Sequence, residues 1–338
     1  MSVLVLLAAC SSAEPLGNAR RTSTSESSPG GSTTSWNTAS TVDGSTTSHP
    51  NVGPGAATTA PTLTTRPRTT TTGPVSPGAG CGSAPSRTRR LGVADGPSVL
   101  DVFPTPVRCP APVVILVHGG GYCCGDKSQV NQSVIDWLNA QGYAVVNTDY
   151  RLGVMYPAFD DDVASAIAWV ARNAGTFGGD GTRIALFGHS TGGEMVAETA
   201  TTPAVLASAG LSIHSVRCVG LLDPSALDVE TMLRNPPSPA TLQTYQHAYG
   251  TNPAVWHSAS AITNARNGTL GASFLIAERG NFAAVQLRYA AIVRSHGLAV
   301  TVIDANALNH GQVINDIGAP GDHVMTSPVL SFLRSCAG

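Results

Sequence analysis

Gly188-His189-Ser190-Thr191-Gly192 directly follows the apolar run Arg183-Ile184-Ala185-Leu186-Phe187, and His118-Gly119-Gly120-Gly121 directly follows a second such run, Val113 to Val117. A serine flanked by glycines, after a strand-like run and before the helix-compatible stretch Gly193-Glu194-Met195-Val196-Ala197-Glu198, has the form of a sharp strand-to-helix turn. Such a turn lifts Oγ clear of the backbone. Gly188 and Gly192 suit it because a Cβ two residues to either side would crowd the nucleophile. The glycine run after His118 leaves backbone N–H groups bare, able to point at a developing oxyanion. With 36 glycines in the chain, a G-x-S-x-G match alone would be weak. Its strand-helix context and the independent glycine loop make the pair specific, and together they read as the halves of a serine acyl-transfer site.

The 338 residues divide sharply by composition. Residues 11–80 are Ser, Thr, Pro and Gly with almost no large apolar side chains, too little buried surface to offset the entropy of ordering them. That segment is expected to be a disordered tether, and its Ser/Thr-Pro character resembles stalks that carry O-linked sugars. Residues 81–338 are long enough for one sizeable core. The formal net charge is −2, and no basic stripe with interleaved aromatics occurs in the folded part, so nucleic acid is not an expected partner. Arg66, Arg68, Arg87, Arg89 and Arg90 give the end of the tether a positive bias.

Residues 1–10 carry a separate signal. Val3 to Leu7 is a short apolar core, and Leu7-Ala8-Ala9-Cys10 resembles the lipobox at which bacterial lipoproteins are cleaved and lipidated. The resemblance implies an acylated Cys10 and an exported protein whose membrane contact is a lipid anchor at the cell envelope. No Lys or Arg precedes the apolar run, so the true start is expected upstream. No later apolar run reaches the roughly 18 residues needed to span a bilayer. Setting Cys10 aside leaves Cys81, Cys109, Cys123, Cys124, Cys218 and Cys336, an even set consistent with up to three disulfides in an exported protein. Adjacent Cys123 and Cys124 are expected to take different partners and so to brace the glycine loop. Zinc fits poorly, because no C-x-x-C pair or His cluster accompanies them.

Ser98 to Phe103, Pro112 to Val117, Tyr143 to Thr148, Arg183 to Phe187, Val216 to Leu222, Ser273 to Ala277 and Leu298 to Ile303 read as strands. Between them Ser128 to Ala140, Pro157 to Ala174, the stretch after Ser190, Phe282 to His296 and Asp322 to Arg334 have helical spacing. This alternation predicts an α/β fold with a mainly parallel sheet covered on both faces. Ligands bind such sheets beyond the carboxyl ends of the strands, where both glycine loops lie. Pro224 to Leu270 is too long for an ordinary loop and is expected to form a small cap after the sixth strand, residues 224–270.

His118-Gly119-Gly120-Gly121-Tyr122, Asp149-Tyr150-Arg151-Leu152, Tyr156-Pro157-Ala158-Phe159 leading into Asp162 and Trp169, and Gly178-Gly179-Asp180 before the serine turn resemble the α/β-hydrolase superfamily. Within it they are most similar to acetyl-esterase and hormone-sensitive-lipase-like carboxylesterases. The likeness runs from about Leu91 to the C-terminus. It implies an eight-stranded hydrolase sheet and ester hydrolysis without metal or organic cofactor. His189-Ser190-Thr191 departs from the Asp-Ser-Ala of many members and leaves the nucleophile in place.

The superfamily's chain order is Ser, acid, His, so the base lies late. His310 follows the strand Leu298 to Ile303 by a short loop and is preferred over His323, which opens the last helix. For the acid, relatives usually carry Asp after the penultimate strand, where this chain reads Glu278-Arg279-Gly280-Asn281-Phe282. Asp223, at the end of Val216 to Leu222, is preferred, and Glu278 remains the rival. Asp223 could instead cap the following turn, and Glu278 could instead pair with Arg279. Backbone N–H groups of Gly120, Gly121 and Thr191 are the expected oxyanion donors. Asp160, Asp161 and Asp162 fit a helix N-terminus better than a cation site. The reading is a serine carboxylesterase with a fairly open pocket for small to medium acyl esters. A lipase or an amidase would use the same residues, and an inactive hydrolase-like binding module is the alternative from another class.

Overall fold

The structure, a computed structural model, describes residues 87–91 and 98–338. The Cys10 lipobox and the 11–80 tether lie outside those residues. Eight strands form one sheet in the order β1-β2-β4-β3-β5-β6-β7-β8. They are β1 (Arg87–Leu91), β2 (Ser98–Phe103), β3 (Ala111–Val117), β4 (Ala144–Thr148), β5 (Gly179–His189), β6 (Cys218–Leu222), β7 (Ser273–Glu278) and β8 (Val300–Asp304). The two strands at one edge run antiparallel to their neighbours, and from β4 to β8 every pairing is parallel. Every residue of β3, β4 and β6 is buried, as their unbroken apolar runs require of strands covered on both faces.

The helices are α1 (Gln132–Ala140), α2 (Ala158–Asn173), α3 (Thr191–Thr201), α4 (Pro203–Ser208), α5 (Val229–Arg234), α6 (Pro239–Tyr249), α7 (Pro253–Ala259), α8 (Ala261–Asn267), α9 (Ala283–Ser295), α10 (Gln312–Asn315) and α11 (Thr326–Cys336). One core contains Phe159 and Ile167 of α2, Met195 of α3 and Tyr289 of α9 against one set of strand side chains. The second contains Val134 and Leu138 of α1 and Phe332 and Leu333 of α11 against the other set. The two cores are the two faces of the sheet. The expected insertion after β6 is four helices, α5 to α8.

Three local expectations need correction. Arg87–Leu91, read as the charged end of the tether, is a strand that pairs with β2 from Arg87↔Val102 to Leu91↔Ser98. The helix expected from Ser128 begins at Gln132, because Asn131 is extended at φ −60°, ψ 141°; Lys127–Gln129 make a separate short turn capped by the Asp126 side chain. Cys123 and Cys124 are bonded to each other, not to separate partners. Cys218 is bonded to Cys336, and Cys109 is also in a disulfide.

Candidate active site

β3 and β5 are neighbours in the sheet, so the glycine loop after β3 and the serine turn after β5 emerge side by side. Ser190 sits at φ 57°, ψ −127°, a sparsely populated conformation for a non-glycine residue and the strained turn that presents the Oγ. Its N–H is fixed by the Leu222 carbonyl at 2.9 Å. A Cβ on Gly188 would collide with the Gly192 carbonyl, and one on Gly192 with the carbonyls of Val117 and His118. The two glycines therefore do more than relieve the turn. They let the start of α3 press against the end of β3, so that serine and oxyanion loop share one space.

Gly120 and Gly121 both have positive φ, 125° and 65°, which the Cβ-free residues tolerate and which turns the loop back over the sheet edge. The Gly120 carbonyl accepts from Cys124 N–H at 3.1 Å, closing the turn. His118 is buried; its ring stacks on Tyr150 with centroids 4.4 Å apart, and its Nδ1 lies 2.6 Å from the Gly119 carbonyl. Burial depresses its pKa, so at neutral pH it braces the loop as a neutral ring. One expectation changes. The Gly121 N–H is not bare, for it donates to Thr191 Oγ1 at 3.2 Å, and an incoming oxyanion has to share or displace that hydroxyl. Thr191 N–H belongs to the first turn of α3, where amides lack intrahelical partners.

The late histidine is His310, whose Nδ1 is 2.6 Å from Asp223 Oδ2. Asp223 is almost wholly buried at the end of β6. Donation from Nδ1–H to the carboxylate leaves Nε2 as the proton acceptor, a tautomer assigned from this hydrogen bond. Glu278, the rival acid, does not meet the imidazole. Its Oε1 lies 3.4 Å from Asn306 Nδ2, and its neighbour Arg279 turns away from it, donating from Nε to Asp223 Oδ2 at 2.6 Å. His323 precedes α11, in a turn whose N–H groups at Val324, Met325 and Thr326 are capped by Asp322.

His189 joins serine to base. It precedes Ser190, its ring lies against that of His310 with centroids 4.4 Å apart, and its Nε2 is 2.7 Å from the His310 carbonyl. Among the described residues Ser190 Oγ and His310 form no direct hydrogen bond. Without substrate such bonds are often long and tighten only in the reacting complex.

This sheet order, with a serine turn after β5, a glycine loop after β3 and a late histidine facing an acid at the end of β6, is a known architecture. The chain has the α/β-hydrolase fold. A family model described as BD-FAE matches residues 100–210 of the chain, a span holding both glycine loops. Among curated proteins, Esterase LipC of Mycobacterium tuberculosis is 38% identical over 115 residues, covering 32% of this chain and 28% of that protein. Carboxylesterase NlhH of the same species is 39% identical over 97 residues, covering 28% of this chain and 30% of its own. The chain thus spans less than a third of the length of these relatives. Of solved structures, a bacterial heroin esterase aligns with a TM-score of 0.61 at 19% identity over 76% of this chain and 86% of that one. An esterase of Pyrobaculum calidifontis aligns with a TM-score of 0.58 at 22% identity, covering 74% and 85%. These likenesses establish the fold.

Sequence reasoning missed the polar network beneath the oxyanion loop. Glu194 of α3, fully buried, accepts from the N–H groups of Ser225 and Ala226 at 2.9 Å each. It also accepts from Tyr245 Oη at 2.8 Å and from Tyr122 Oη. One carboxylate therefore ties the serine helix to the oxyanion loop, the turn after Asp223 and cap helix α6. The only sequence signal was a glutamate in the first turn of a helix that is otherwise buried all round.

Proposed function

We propose that this α/β-hydrolase is a serine carboxylesterase that cleaves small to medium acyl esters through an acyl-enzyme. The observation that carries the reading is the 2.6 Å contact of His310 Nδ1 with buried Asp223, formed where His310 also packs on the residue preceding Ser190. Similarity to proteins named esterase and carboxylesterase, and a family model matching the span that holds both glycine loops, support it. In the proposed reaction His310 Nε2 takes the Ser190 proton as Oγ attacks the ester carbonyl. Asp223 fixes the imidazole tautomer and stabilises its charged form. N–H groups of Gly120, Gly121 and Thr191 receive the oxyanion, each such donor worth about 3 kcal/mol in the transition state. His310 then protonates the leaving alcohol, and water repeats the cycle on the acyl group. With only the small insertion α5 to α8 as its cap, the proposed site suits modest acyl chains. Lipidation of Cys10 would hold the enzyme at the cell envelope on the tether of residues 11–80.

The test is a panel of p-nitrophenyl acyl esters of increasing length, run on the full chain and on Ser190→Ala. Turnover that falls with chain length and drops to background in the variant is the expected result. Background turnover at every length would favour the binding-module reading, preference for emulsified long-chain esters a lipase, and faster cleavage of acyl anilides an amidase. For the anchor, the Cys10→Ser protein should appear in the medium. Unchanged membrane retention would refute lipidation.

A further inference from the structure

Asp223 holds a positive φ of 52°, a conformation that a non-glycine residue keeps only where its surroundings over-determine it. We propose that Arg279 and Gln286 are positioning residues that clamp the Asp223 turn and so aim its carboxylate at His310. The proposal rests on the reading of Asp223 as the triad acid. Arg279 Nε donates to Asp223 Oδ2 at 2.6 Å, the same oxygen that His310 Nδ1 meets at 2.6 Å. Gln286, on α9 and fully buried, accepts the Arg279 N–H on Oε1 at 2.9 Å. Its Nε2 donates to the Pro224 carbonyl at 2.6 Å. Asp223, Pro224, Gln286 and Arg279 thus close a ring that locks the end of β6 to the loop after β7 and to α9.

The chemistry favours clamping over a surface ion pair. The Asp223 side chain is 3% exposed, and a carboxylate taken that far from water needs more donors than one imidazole supplies. A guanidinium meets the need with a donor fixed in a rigid plane, which a lysine ammonium on a flexible stem does not reproduce. Because His310 and Arg279 converge on one oxygen, the guanidinium fixes where the imidazole finds its acceptor. The loop after β7, where the resembling enzymes usually carry the acid, supplies here the cation that orients an acid borne on the neighbouring strand.

The test compares Arg279→Ala, Arg279→Lys and Gln286→Leu in the full chain by ester kinetics and by the downfield proton resonance of the His310 Nδ1–H. For Arg279→Ala, kcat should fall about 10- to 100-fold with KM changed less than about twofold, as misalignment of a catalytic group by an ångström does. Added ethylguanidinium should restore part of the loss, the lysine variant should be intermediate, and Gln286→Leu should fall in the same sense. The downfield resonance should shift or broaden in each. A folded Arg279→Ala protein with wild-type kcat, or an unchanged resonance in both the alanine and the leucine variants, overturns the clamp. If the unmutated chain turns over no ester, the triad reading fails instead, and the resonance still reports whether Arg279 orients the His310–Asp223 pair.

Discussion

Burial, with the neighbouring His310 second, pulls the pKa of His189 to about 3. The ring is therefore neutral under ordinary conditions, and its Nε2 is free to donate to the His310 carbonyl. A carboxylate in its place would set acceptor against acceptor. His189→Asn should retain most activity, whereas His189→Asp should lose about tenfold or more in kcat at neutral pH; equal rates for the two would show that the donor does not matter. The acid can be assigned in the same way. Asp223→Asn should lower kcat by about 10⁴-fold, the scale of a lost triad acid, and Glu278→Gln should change it by no more than a few-fold. A large loss confined to the Glu278 variant would reverse the assignment. Ser190 and the glycine loop are legible in the sequence because their geometry is local, a turn between a strand and a helix. The partner of Arg279 is not legible, because the contact spans 56 residues and selects Asp223 over the adjacent Glu278 only once β6 and β7 lie side by side.

Elements couple through buried acids. Asp160 of α2 and Glu198 of α3 are both buried, and desolvation, with added repulsion from Asp161 on the first and from Asp160 on the second, raises both pKa values well above the usual carboxyl range. Tyr249 Oη donates to Glu198 Oε1 at 2.6 Å, and a proton retained by the pair of acids relieves the cost of burying both charges together. The unfolded chain releases those protons near pH 4 and the folded chain holds them longer, so stability is fully present below that pH and is lost as pH rises through the folded values. Urea titrations should show this decline from about pH 4 upward. Asp160→Asn should flatten it, and an unchanged slope would mean that the pair carries no such proton. Composition marked Asp160, Asp161 and Asp162 as a helix start, which they are, but could not show that only some of them face water. It also hid β1. Arg-Thr-Arg-Arg-Leu reads as a solvated charge run, yet its backbone pairs with β2 as the edge strand of the sheet.

Across the whole molecule, the alternation of strands and helices made the sheet predictable, because fully apolar strand runs permit only a doubly covered sheet. Cysteine pairing was out of reach, since it depends on which ends meet in space. The two described disulfides differ in what they close. Cys218–Cys336 ties residues 118 apart, and Cys123–Cys124 ties neighbours. In the chain-entropy picture only the long closure restrains the unfolded chain, so Cys218→Ala/Cys336→Ala should cost about 5 kcal/mol while Cys123→Ala/Cys124→Ala costs little through this route. Thermal and urea unfolding of the two double variants would separate them, and comparable losses would reject the entropic account.

The long closure encircles Asp223, the helical insertion and His310, leaving Ser190 outside. A protease cutting the exposed segment around Asn235 and Pro237 would sever the backbone between acid and base without freeing either fragment. Nicked protein should migrate as one band on a non-reducing gel and as two after thiol treatment, with its ester turnover surviving until the reductant is added.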